Sequence, residues 1–140
     1  MAYWLMKSEP EAYSWDDLVR DKGTEWDGVR NNAATLHLKA MQVGDRAFLY
    51  HSMSDKAVVG IMEIVRAAQP DPKAKEGERW VSVAVKPVEK LPRPVTLAEV
   101  KAEPKLKDME LIRQSRLSVA PVRPEEWALL LEMAGAKAVA

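Results

Sequence analysis

The sequence contains no cysteine, and only two histidines, His37 and His51, among 140 residues. The first absence excludes disulfides, a thiolate nucleophile and a cysteine-ligated zinc site. The second excludes a multi-histidine metal centre, so no metal or other cofactor is expected. Aromatic residues are scarce at 6%. No apolar run approaches the roughly 20 residues that a membrane-crossing helix needs. Charge is balanced, with 21 Lys plus Arg against 21 Asp plus Glu. Bulk electrostatic coating of nucleic acid or membrane is therefore not expected, although a local basic groove remains open. The start, Met1-Ala2-Tyr3-Trp4, lacks the basic and apolar regions of a secretory signal. A cytosolic location is the default expectation.

What is present suits one globular domain over residues 1–140. Hydrophobic residues make up 47% and charged residues 30%. A chain of this length buries roughly 68–70% of its unfolded surface, enough for one real core. Residues 3–7 read as a strand, which Ser8-Glu9-Pro10 ends because proline cannot donate to a ladder. Ser14-Trp15-Asp16-Asp17 is a capping-box-like start for a short helix through about Val19. Asn31 or Asn32 caps a second helix with Ala34, Leu38 and Met41 at helical spacing. Strands are expected at 46–51, at 57–67 with Gly60 as a bulge, and at 80–85, with a polar loop at 69–79. Thr96 caps a helix stopped near Pro104, and residues 107–113 add a helical turn or two. Ser118, Val119 and Pro121 fit an edge strand, and Pro124 opens a last helix with Trp127, Leu130, Leu131 and Ala134 on its apolar stripe. This mixed order suggests an α+β domain around a strongly bent sheet or small barrel.

Charge is mildly segregated: residues 86–123 hold nine Lys or Arg against five Asp or Glu, while residues 1–60 hold seven against nine. Such a surplus is either a solvated face or a weakly basic binding region. The acidic pairs Asp16-Asp17 and Glu125-Glu126 both fall in helix first turns, where the helix dipole alone accounts for them. No G-x-S-x-G motif and no Gly-rich phosphate loop is present. His37 is expected on a helix rim, and His51 ends a strand, either as a hydrogen-bond partner or as a functional group. Five of the nine aromatic residues (Tyr3, Trp4, Tyr13, Trp15 and Trp26) lie in the first 26 positions. Trp4, Trp80 and Trp127 sit on regular elements and are expected in the core. Trp26 opens Trp26-Asp27-Gly28-Val29-Arg30-Asn31, which matches neither strand nor helix. Its indole either walls a slot for a planar ring, which would gain roughly 1–3 kcal/mol by stacking, or plugs one end of the barrel.

The run Tyr3-Trp4-Leu5-Met6-Lys7-Ser8-Glu9-Pro10 resembles the opening signature of the EVE-domain family. The resemblance continues through Trp26 to Asn31, Gly44-Asp45, Tyr50-His51-Ser52, Val58-Val59-Gly60-Ile61 and Pro70-Asp71. It closes with Ser115-Arg116-Leu117-Ser118-Val119, Pro121-Val122 and Glu126-Trp127. The family implies a PUA-like bent β pseudo-barrel flanked by short helices and related to the YTH domain. It also implies a non-enzymatic module whose pocket holds a modified base flipped out of its strand, a modified cytosine in DNA or a base in RNA. Carried over by motif, the pocket would use Lys7, Ser8, Trp26, Gly28, Val29, Arg30 and Asn31. Tyr50, His51 and Ser52 would form one rim, and Ser115, Arg116 and Ser118 another. Asn32, Thr35, Met53 and Gln69 depart from the common pattern, while the pocket motifs are intact.

Physical chemistry fits that implication. Ser8, Asn31, Ser52 and Ser118 offer short donors and acceptors for a base edge. Val29 or Leu117 suits a niche for a methyl group, and Arg30 and Arg116 suit phosphate oxygens. A neutral chain of this kind is expected to act as a monomer on modified nucleic acid, with no membrane and no metal. Two rivals stand beside this reading: an enzyme acting on a modified base with His51 as general base, and an adaptor that binds only protein.

Overall fold

Successive side chains of a strand point to opposite faces. In β1 (Tyr3–Ser8), Trp4 and Met6 therefore join one apolar cluster and Leu5 joins a second. The computed structural model describes residues 1–53 and 55–136, and the division of faces holds along its sheet. Residues 137–140 of the single domain expected over 1–140 lie outside the described residues. The remaining strands are β2 (Thr24–Trp26), β3 (Arg46–His51), β4 (Ala57–Pro70), β5 (Val81–Thr96) and β6 (Val119–Val122). They form one six-stranded sheet in the order β2-β5-β4-β3-β1-β6. The β1–β3 pair is parallel and the others are antiparallel. A parallel pair needs a long crossover. Here it carries α1 (Trp15–Asp21), β2 and α2 (Asn32–Ala40).

The long strands β4 and β5 slip register at four places against each other, and β4 slips once against β3. Each slip adds local twist and bends the strand. The result is the bent α+β sheet the sequence suggests. Gly60 lies at one of these slips, and its lack of a side chain has a second use. A Cβ there would sit 2.4 Å from the ring of Trp15, so glycine lets α1 lie flat on the sheet.

The helices take their starts from local capping. Ser14 and Asp17 form a reciprocal capping box on α1, and the Asn31 side chain accepts from the Ala34 N–H at 3.0 Å on α2. Trp15 and Leu18 of α1, with Ala34 and Leu38 of α2, join the first cluster. The second lies against α3 (Leu97–Ala102), α4 (Glu110–Arg113) and α5 (Pro124–Met133). There Trp127 stacks on Phe48 and on Tyr3, with ring centres 3.9 and 4.4 Å apart. Trp4 and Trp127 are core residues, as expected.

Two expectations are corrected. The segment before Asp27 is not irregular: Thr24 pairs with Val85 and Trp26 with Val83 in β2–β5. Three residues are too few to show a period of two, and the partner strand, not the local pattern, makes this one. Trp80 is neither in a strand nor in the core. It is half-buried just before β5, with the guanidinium groups of Arg30 and Arg79 5.6 and 5.9 Å from its ring centre. Cation–π contact there takes the place of burial.

Candidate nucleic-acid interface

Where β2 ends, the chain passes beside the C-terminal end of β1. Trp26 closes β2 with 8% of its surface exposed. Gly28 then turns the chain with φ of +76°, a region that disfavours side chains. A buried carboxylate holds this turn. Asp71 Oδ2 accepts from the Gly28 N–H at 2.8 Å and from Arg30 Nη1 at 3.0 Å, while Oδ1 accepts from the Lys73 N–H at 2.7 Å. Burial pushes the Asp71 carboxyl up, but these donors outweigh it and hold the group below its ordinary value.

The turn, the end of β1 and the loop after β4 enclose a cavity of about 600 Å³. This is within the range of small-ligand pockets, about 300–1,000 Å³. Seven residues carried over by motif line it: Lys7, Ser8, Trp26, Gly28, Val29, Arg30 and Ser118. Val29 is 8% exposed, so a small apolar surface lies beside the indole. The Lys7 ammonium is half-buried and donates to the Ser115 carbonyl at 2.8 Å; burial lowers its pKa. The Ser8 hydroxyl donates to the Tyr13 carbonyl at 2.7 Å, which fixes the end of β1.

The other candidates lie elsewhere. Asn31, Ser115 and Arg116 line a neighbouring groove of about 390 Å³, together with Arg113, Gln114 and Leu117. Leu117 thus lines this groove and not the cavity niche suggested for it, and Asn31 uses its side-chain oxygen as a helix cap. Arg30 is held by Asp71 and by the Val29 carbonyl, which ties part of its guanidinium to the turn and away from phosphate.

Tyr50, His51 and Ser52 line neither hollow. Ser52 belongs to the chain after β3, and its N–H donates to the Ser8 carbonyl at 3.0 Å. Tyr50 is buried in the second cluster, with the Lys7 ammonium 5.7 Å from its ring centre. His51 has both ring nitrogens engaged. Nε2 accepts from the Trp15 N–H at 3.0 Å, which places the proton on Nδ1, 2.9 Å from Asp55 Oδ2. It anchors the start of α1, and no lone pair is left for a general base. His37 packs against Trp4 with ring centres 5.9 Å apart, and burial lowers its pKa.

Sequence reasoning missed Ala12, Tyr13, Thr24, Glu25, Asp27 and Lys73, which complete the cavity wall. Glu25 is fully committed: Arg66 Nη1 donates to Oε1 at 2.7 Å, and Arg66 Nη2 and the Ser82 hydroxyl both donate to Oε2. Asp27 is different, since an exposed Lys73 reaches only its Oδ1, at 3.3 Å. Asp27 stands inside the Trp26-Asp27-Gly28-Val29-Arg30-Asn31 motif, but nothing in its spacing separates a wall residue from a solvated one. No group of three or more His, Asp or Glu side chains that could hold a metal occurs among the described residues. Among them no helix is long and apolar enough to cross a membrane.

Comparison with known proteins agrees with the sequence resemblance. The EVE domain family model matches residues 2–133. Human thymocyte nuclear protein 1 is 35% identical over 165 residues, covering 94% of this chain and 73% of that protein. Among solved structures, a Rhodopseudomonas palustris protein is 54% identical, with a TM-score of 0.91 over 96% of this chain and 94% of its own. A crystal structure of human THYN1 in complex with 5-methylcytosine-containing DNA has a TM-score of 0.90 at 34% identity, covering 99% of this chain and 100% of that one. The ASCH protein of Zymomonas mobilis shares the fold alone, at 13% identity and a TM-score of 0.58. With an ordered set of motifs, a bent PUA-like sheet and these matches in hand, the chain belongs to the EVE-domain family.

Proposed function

We propose that this protein is a non-enzymatic, monomeric module that binds modified cytosine in DNA by taking the flipped base into the cavity beside Trp26. The observation that carries the reading is the cavity wall itself: an indole and Val29 next to cationic Lys7 and Arg30. An indole offers a π face to any base, so stacking alone is tolerant of sequence. Selectivity then comes from the base edge and from space for the modifying group. A methyl placed against Val29 would gain about 0.8 kcal/mol, roughly fourfold in affinity. The relative solved with 5-methylcytosine-containing DNA supports the choice of cytosine and of DNA. His51, engaged at both nitrogens, favours binding over base chemistry.

The test is fluorescence anisotropy with labelled oligonucleotides carrying one central cytosine, 5-methylcytosine or 5-hydroxymethylcytosine. Single strands, duplexes and matching RNAs form the arms. A modified DNA bound several-fold more tightly than its unmodified control supports the reading. Equal affinity across all arms, or release of a new product detected by mass spectrometry, overturns it.

A further inference from the structure

The geometry points to Asp27 as the residue that selects a cytosine ring over a thymine ring in this cavity. The inference rests on the base-pocket reading above. 5-Methylcytosine and thymine have the same ring and the same methyl group, so neither the indole nor Val29 can tell them apart. They differ along one edge. Cytosine presents an N4 amino donor beside an N3 lone pair, whereas thymine presents an O4 acceptor beside an N3–H. A carboxylate accepts from the amino group and faces O4 with lone pair against lone pair. Selectivity from such an arrangement is both attractive toward one base and repulsive toward the other.

Two carboxylates line the cavity, Glu25 and Asp27. Glu25 has both oxygens bound by Arg66 and Ser82, and serves to join β2 to the long strands. Asp27 has one oxygen reached by Lys73, whose side chain is 67% exposed, and Oδ2 takes no hydrogen bond among the described residues. The Asp27 side chain retains 24% of its surface, and the residue follows directly on Trp26. Indole and carboxylate line the same cavity, the one suited to the ring face and the other to its edge. Ser118 and Lys7 also line the cavity, and their hydroxyl and ammonium are donors of the kind that N3 and O2 of cytosine need.

The test compares oligonucleotides identical except for one central 5-methylcytosine or thymine, with wild-type protein, Asp27→Asn and Asp27→Glu. Wild-type protein should prefer 5-methylcytosine by about 10- to 100-fold, the range of one good edge contact. Asp27→Asn keeps the size of the side chain but adds a donor, so the preference should fall to within about threefold of unity. Asp27→Glu keeps a carboxylate at this position, so 5-methylcytosine should remain the preferred base. Melting curves show that each variant is folded. An Asp27→Asn protein that lowers both affinities equally and keeps the wild-type ratio overturns the inference, as does an Asp27→Glu protein whose ratio falls as far as that of Asp27→Asn. Wild-type protein that prefers modified over plain cytosine yet binds thymine equally well refutes the role of Asp27 alone. Wild-type protein that binds none of these bases refutes the pocket reading and the inference together.

Discussion

Trp26→Ala should damage stability and binding together, because the indole faces both ways. With 8% of its surface exposed, Trp26 belongs to the first apolar cluster, yet it also lines the cavity. Truncating a buried tryptophan costs about 3–5 kcal/mol. At about 3 °C per kcal/mol for a domain of this size, the melting temperature should fall by roughly 10–15 °C. Losing a base-stacking surface costs about a further 1–3 kcal/mol of binding, or roughly 5- to 150-fold in Kd. The two effects are separated by measuring anisotropy at about 10 °C, where the variant is still folded, and melting by circular dichroism. Trp26→Phe keeps a smaller π face and should recover part of both. A variant that melts lower by the stated amount but binds modified DNA normally when folded would reduce Trp26 to a core plug. A variant that melts within two or three degrees of wild type would refute the burial reasoning.

Asp71→Ala removes hydrogen bonds to a carboxylate worth about 1.5–3 kcal/mol each, so the turn at Gly28 should loosen and affinity should fall at least about tenfold. Because the folded Asp71 carboxyl titrates below its unfolded value, its contribution is complete above about pH 3.9 and is lost as pH falls through the folded pKa. Wild-type affinity attributable to this turn should therefore be flat from pH 7 to 5 and decline only in stronger acid, which a pH titration of anisotropy checks. Arg116→Ala should flatten the slope of log affinity against log salt by about 0.7–0.9, one phosphate contact; an unchanged slope would leave Arg116 with no phosphate role. His51→Ala leaves the buried Trp15 N–H without its acceptor and should lower stability by about 1–3 kcal/mol in denaturant titration. No nucleoside turnover is expected from the wild-type protein, and conversion abolished by His51→Ala would restore the enzyme reading.

The elements that local rules govern were legible before any coordinates. The Ser14 box, the Asn31 cap and the Thr96 box each need only a side chain and a backbone N–H a few residues on, so spacing alone finds them. A short apolar run from Ala47 to Tyr50 marks β3 at residues 46–51, and the run is continuous because both faces of the strand are buried. The strand at 81 to 96 was legible only to residue 85. Beyond that, prolines and charged residues mask a β5 whose partner is another strand. The family motifs named seven cavity residues, since motif order survives without any knowledge of distance.

The residues surrounding those seven were decided by tertiary structure. Asp71 lies 43 positions from the Gly28 N–H that it binds, and Lys73 lies 46 from Asp27. Tyr50, His51 and Ser52 share the motif set but stand behind β1, where pairing of Ser8 with His51 puts a strand between them and the cavity. The amino-acid sequence by itself determined a cysteine-free α+β domain of the EVE family with Trp26 in a turn-forming motif, because capping, alternation and motif order are short-range properties of the chain. Which carboxylate is tied to an arginine and which is reached by a single exposed lysine was decided only when a crossover brought β2 and the loop after β4 together. That is a contact between segments some forty residues apart, and no local spacing encodes it.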